Sequence, residues 1–134
     1  MKTIIISLML LFATNALSAQ HKLTIVVDGI ESIKGQLMVG VYDENSFMKA
    51  APIASDMVKI DGETVTVELK NIAVGEYAVS LFQDENENYE LDMGTFGPTE
   101  KYGFSNNAKG KMGPPSFADC KFKIEEDTII YITL

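Results

Sequence analysis

Apolar residues at every second position, in short runs broken by turn residues, constrain this chain more than any other feature it has. Leu23, Ile25 and Val27 alternate in the first run, Leu37, Val39 and Val41 in the second, and Val65, Val67 and Leu69 in a later one. A strand with one side on a core needs that period of two, whereas a helix would need a period near 3.6. The turn-like residues 31–35 predict a hairpin between the first two runs. Asp61-Gly62 predicts a second hairpin, between Met57-Val58-Lys59-Ile60 and the run from Val65. Gly75 to Phe82 is apolar on both faces, as in the centre of a sheet. Cys120 to Ile124 and Thr128 to Leu134 complete the set. Seven short strands with regular turns and almost no helix predict an all-β chain: a single seven-stranded antiparallel β-sandwich, immunoglobulin-like or transthyretin-like, with one long ordered loop. Between the second and third strands, Ser46 is expected to cap a short helical turn stopped by Pro52, with Phe47 or Met48 packing over a sheet edge.

Residues 1–19 read as a cleaved signal peptide, with one positive charge at Lys2, an apolar run from Ile4 to Ala13 and small residues up to Ala19. The run is shorter than the roughly 20 residues that cross a bilayer, and no later segment offers a span. Residues 20–134 then form one domain, expected to be periplasmic or secreted. Loss of Lys2 with the leader moves the formal net charge from −8 to −9. There is no arginine and the lysines are scattered, which argues against nucleic acid or anionic lipid as a partner. Cys120 is the only cysteine and excludes an intramolecular disulfide; beside Asp119 it reads as a small buried strand residue. The only histidine, His21, lies next to the cleavage point, where it makes a poor catalytic base.

Gln83 to Phe117 interrupts the alternation, and a loop this long in a small domain is usually functional or disordered. Its first part places Asp84, Asn86, Asn88, Glu90 and Asp92 at alternate positions. Calcium takes six to eight oxygens, and D-x-[DN]-x-[DN] loops supply them at this spacing, so calcium is a candidate cofactor of the turn. In that frame Glu90 offers its carbonyl. Tyr89 stands where such loops carry glycine, and Thr95 where they carry a bidentate glutamate. The alternative is a solvated turn whose Asx side chains bond their own backbone. The second part, 94–117, is dense in glycine, proline and aromatics, which predicts an ordered flap with its rings against the end of the sandwich. There Tyr102, Phe104, Ser105, Asn106 and Asn107 are the candidate ligand-binding surface for a glycan or a peptide, or else the flap's own small core.

Gly75-Glu76-Tyr77-Ala78-Val79, the Asp84-x-Asn86-x-Asn88 loop, Tyr102-Gly103-Phe104-Ser105-Asn106-Asn107-Ala108 and Gly113-Pro114-Pro115-Ser116-Phe117 together resemble a family of secreted bacterial proteins catalogued as a domain of unknown function. The resemblance covers the mature chain and implies export and a β fold, without a reaction. The Gly-Glu-Tyr strand is also similar to that of transthyretin-like and carboxypeptidase-regulatory-like sandwiches. The expectation is therefore a monomeric, non-enzymatic binding or envelope-associated module whose partner is a protein or glycan. A carbohydrate- or peptide-binding protein using the 94–117 flap is the alternative. A hydrolase would instead pair Glu90 or Glu100 with Asp92 as acid and base.

Overall fold

The computed structural model describes residues 19–134, so the leader assigned to residues 1–19 lies, but for Ala19, outside the described residues. The chain is mostly β. Strands β1 (Gln20–Asp28) and β4 (Val65–Ala73) lie side by side, antiparallel, and β10 (Thr128–Thr133) joins the other edge of β1 to make a three-stranded sheet. A second sheet runs β3 (Ala54–Lys59), β2 (Gln36–Tyr42), β5 (Gly75–Asp84) and β8 (Tyr102–Phe104). Within it β9 (Phe122–Ile124) pairs with the first residues of β5, and β8 pairs further along it with Ser80 to Phe82. β6 (Met93–Gly94) and β7 (Gly97–Pro98) form a small separate ribbon.

The alternation does what its period requires. Leu23, Ile25, Val27, Val65, Val67, Leu69 and Ile132 of the first sheet meet Leu37, Val39, Val41, Val79, Leu81 and Ile124 of the second in a single buried cluster. At about 1.5–3 kcal/mol for each large aliphatic side chain taken out of water, this cluster is the main source of stability. A second, smaller cluster lies on the opposite face of the larger sheet, where Phe47, Ala78, Phe104 and Cys120 are buried.

Several expectations need correction. β1 and β2 are not a hairpin: residues 29–35 carry the chain from one sheet to the other. The Asp61-Gly62 turn does the same between β3 and β4, and the two crossings are tied together by Ile30 N–H to Glu63 O (3.3 Å) and Ile60 N–H to Gly35 O (3.1 Å). Period-two patterning fixes which face of a strand is buried but not which sheet it joins, and a tight turn at a sheet's end serves either purpose. The sheets are also not wholly antiparallel, because β1 and β10 run parallel from Leu23–Thr128 to Asp28–Thr133. Chain ends far apart in sequence carry no turn signal that would set their direction. Among the described residues ten strands replace seven, the three additions β6, β7 and β8 arising inside the expected loop. Cys120 ends a four-residue helix, α1 (Phe117–Cys120), and is not a strand residue. Ser116 and Asp119 close a capping box at its start. Residues 44–49 form turns without a helix; Ser46 and Asp43 bond each other reciprocally there, and Phe47 is buried while Met48 is exposed.

Candidate functional site

The acidic turn grows from the end of β5, and its anchor is Asp84, which is fully buried. Asn88 N–H donates to its Oδ1 (3.2 Å), while Tyr89 N–H and the Gln36 amide both donate to Oδ2 (2.9 Å each). A buried carboxylate is tolerated only when its lone pairs are occupied in this way. Beneath it, Gly35 has φ +72°, and a Cβ there would meet the Asp84 carbonyl and stand 2.7 Å from Glu85 Cα. Only glycine permits both that conformation and that approach.

Glu100 closes the neck of the turn. Its Oε2 accepts from Glu85 N–H (2.7 Å) and its Oε1 from Asp92 N–H (2.9 Å). Thr99 N–H donates to the Asp92 carbonyl (2.8 Å), which leads into the β6–β7 ribbon. The Asn86 and Asn88 amides each donate to one oxygen of Asp92, at 2.6 Å. Asn88 Oδ1 accepts from Glu90 N–H (3.0 Å), an Asx turn. Of the five sequence-assigned metal residues, Asn86, Asn88 and Asp92 therefore meet at their side-chain ends, Asp84 lies beneath them bonded to the turn's backbone, and Glu90 is exposed. Among the described residues, no three His, Cys, Asp or Glu side chains gather as a metal cluster.

The second set of assigned residues is spread between surface and core. Ser105 is completely buried, with its Oγ accepting from Val79 N–H (2.9 Å) and its hydroxyl donating to the Cys120 carbonyl (2.6 Å). Asn106 donates to the carbonyls of Asp119 (3.1 Å) and Lys121 (3.0 Å), and Asn107 Oδ1 accepts from Thr133 N–H (2.9 Å). Phe104 stacks edge-on to Phe47 and to Tyr102. Four of the five thus join β8, α1, β5 and the end of β10, leaving Tyr102, half exposed, at the surface. The segment packs over the outer face of the larger sheet, not over an end, and Phe96 is fully exposed instead of packed.

On that outer face lies a groove of about 610 Å³ that includes none of the assigned residues. Register explains its shape. Met57, Met38, Phe82 and Tyr102 face one another across β3, β2, β5 and β8 as one ridge. The next row, Ser55, Gly40 and Ser80, is a floor of small residues. The Tyr42 ring lies over Gly40, where a Cβ would stand 2.7 Å from it; Pro52 also lines the groove, and Tyr89 of the acidic turn reaches it. Burial pushes the Tyr42 phenol above its ordinary pKa. The signal for this groove was present in the off-core positions of β2 and β5, where methionine, tyrosine and phenylalanine replace the polar residues of a solvated face. Glu100 left no such trace, because a clamp between two backbone amides has no sequence period.

The Cys120 thiol, fully buried, is pushed up to about 11 by that burial and secondarily by Asp119, so it is protonated and inert at neutral pH. Glu100 spends both carboxylate oxygens on backbone amides, and Asp92 spends both on asparagine side chains.

A family model described as an uncharacterized protein conserved in bacteria (DUF2141) matches residues 25–131. No curated protein and no solved structure matches the chain.

Proposed function

The chain belongs to the DUF2141 family of bacterial proteins, and from that premise we propose that it is an exported, non-enzymatic binding module on a transthyretin-like β-sandwich frame. The observation that carries the reading is the groove on the outer face of the larger sheet, with Met38, Tyr42, Phe82 and Tyr89 around a floor of Gly40, Ser55 and Ser80. An apolar, aromatic concavity with a few hydroxyls has the composition of a ligand site. The inert thiol and the committed carboxylates of Asp92 and Glu100 favour binding over catalysis. The core shared by the two larger sheets supports the sandwich, and the leader pattern of residues 1–19 supports export. Two measurements test the proposal. N-terminal sequencing of protein recovered outside the cytoplasm should begin near Gln20, and a chain still starting at Met1 refutes export. Glycan and peptide arrays should give hits that Ser55→Trp abolishes by filling the groove floor from an exposed edge position; no hits, or hits that survive the substitution, refute the groove.

A second reading attaches to the acidic turn, where Asn86, Asn88 and Asp92 converge. A calcium ion held by these three and by the Glu90 carbonyl, above the Asp84 already bonded to the turn's backbone, would displace the Asn86 and Asn88 NH2 groups from Asp92 and lock the turn and with it Tyr89. Most of these donors are neutral carboxamide or carbonyl oxygens, so the binding expected is weak, in the millimolar range of extracellular modules. Calorimetry should detect it and Asp92→Ala should remove it. No heat at millimolar calcium overturns the reading.

A further inference from the structure

The acidic turn and the β6–β7 ribbon expose Tyr89, Met93 and Phe96, at 60%, 68% and 104% of their full accessibility. The same chain buries Phe47 and Phe104, and its fold has cover to offer rings. Three large apolar side chains within eight residues are left bare on a turn and ribbon anchored at buried carboxylates. Four of that turn's backbone amides end on the buried carboxylates of Asp84 and Glu100, and Tyr89 is held at φ +67°, a region that side chains with a Cβ rarely adopt. The backbone that carries Tyr89 is therefore held before any partner arrives, and preorganised aromatic anchors are what binding hot spots consist of.

Charge indicates the partner. From Asp84 to Glu100 the sequence has six carboxylates and no basic residue, and Glu87 and Glu90 stand exposed among the three apolar side chains. Lys34 neutralises only Glu85, at 3.0 Å. No Lys lines the adjoining groove, which Tyr89 shares with this tip. We propose that Tyr89, Met93 and Phe96 form a docking surface for a protein segment in which apolar side chains alternate with Lys or Arg. The apolar groups pack on the tip and groove, and the cations face Glu87 and Glu90. This inference rests on the groove being a binding surface. An anionic membrane is the poorer fit, since the net charge, −8 for the full chain and more negative once Lys2 leaves with the leader, repels it.

The chain has no tryptophan, so Phe96→Trp at this exposed position supplies a single tryptophan that can be excited apart from the tyrosines. The probes are short synthetic peptides alternating Leu with Lys, Leu with Glu or Leu with Ser, and vesicles of phosphatidylcholine with or without phosphatidylglycerol. The expected result is a saturable blue shift with the Leu–Lys peptide alone. Adding Met93→Ser or Glu87→Lys with Glu90→Lys should weaken it by about tenfold or more, as loss of a hot spot does. An equal response to the Leu–Glu or Leu–Ser peptide, a shift with vesicles only, or binding indifferent to Met93→Ser overturns the proposal. Ser55→Trp, read by anisotropy of a labelled peptide in the chain without Phe96→Trp, separates the two readings. If it blocks binding while Phe96→Ser does not, the groove stands and the tip falls. If neither substitution matters, both fall.

Discussion

Replacing Asp84 by asparagine keeps the shape of the side chain and removes one acceptor from a place where three donors converge. The single oxygen of the new carboxamide can serve the pair at the Oδ2 position, Tyr89 N–H and the Gln36 amide, but its NH2 then faces Asn88 N–H, and the reverse orientation is worse. Hydrogen bonds to charged groups contribute about 1.5–3 kcal/mol each, and a buried donor left without a partner costs about 1–3 kcal/mol. One bond lost outright and two reduced to neutral strength amount to about 2–4 kcal/mol. For a domain of this size that lowers Tm by about 8–16 °C. Scanning calorimetry reads the total, and amide hydrogen exchange should locate it, with Asn88 and Tyr89 exchanging faster than the strands. In the Asp84→Asn background, Gln36→Met should cost less than it does in the natural chain, because part of the pairing is already gone. A Tm within about 2 °C of the original, with Tyr89 exchange unchanged, would refute the view that this carboxylate holds the turn.

Gly35→Ala should be among the most damaging small substitutions, by about 3 kcal/mol or more, because it combines positive φ with collision against the Asp84 carbonyl; calorimetry showing a loss under about 1 kcal/mol refutes it. Ser105→Ala leaves Val79 N–H and the Cys120 carbonyl unsatisfied and should cost about 2–4 kcal/mol in chemical denaturation, whereas a loss below about 1 kcal/mol would mean that water or backbone movement replaces the hydroxyl. The Cys120 thiol should resist a thiol reagent at about pH 8 until urea unfolds the chain, and immediate labelling of the folded protein contradicts its burial. Its raised pKa also has a sign. The folded thiol keeps its proton where the unfolded one has lost it, so stability is intact below about pH 9 and falls as pH rises toward about 11. Cys120→Ala should flatten that part of the Tm profile, and identical profiles would refute the linkage.

What was legible in the sequence follows from what local pattern encodes. Leu23, Ile25 and Val27 announce a strand and its buried face because both are properties of neighbouring residues, and that strand is present with those three side chains in the core. The partner of β1 is another matter. Val27 lies opposite Ile132 and Val65, both distant in the chain, and the alternation would read the same with any partner. The turns misled for the same reason, since Asp61-Gly62 reverses the chain equally well within a sheet or between two.

The loop shows the limit more sharply. Alternating Asp and Asn from Asp84 to Asp92 indicates a turn rich in oxygens, but which oxygens face outward depends on Gln36 and Glu100, brought in from another strand and from beyond the ribbon. With those two engaged, Asp84 is buried, Tyr89 bonds it at positive φ, and an aromatic ring stands at the groove's rim. On the proposed reading, the residues that read as ligands serve largely to aim Tyr89, which stands where such motifs carry glycine. If that is the turn's purpose, Tyr89→Gly should relieve the backbone and raise Tm slightly while weakening binding in the groove. A Tyr89→Gly chain that gains stability and keeps full affinity would show that the ring has no part in it.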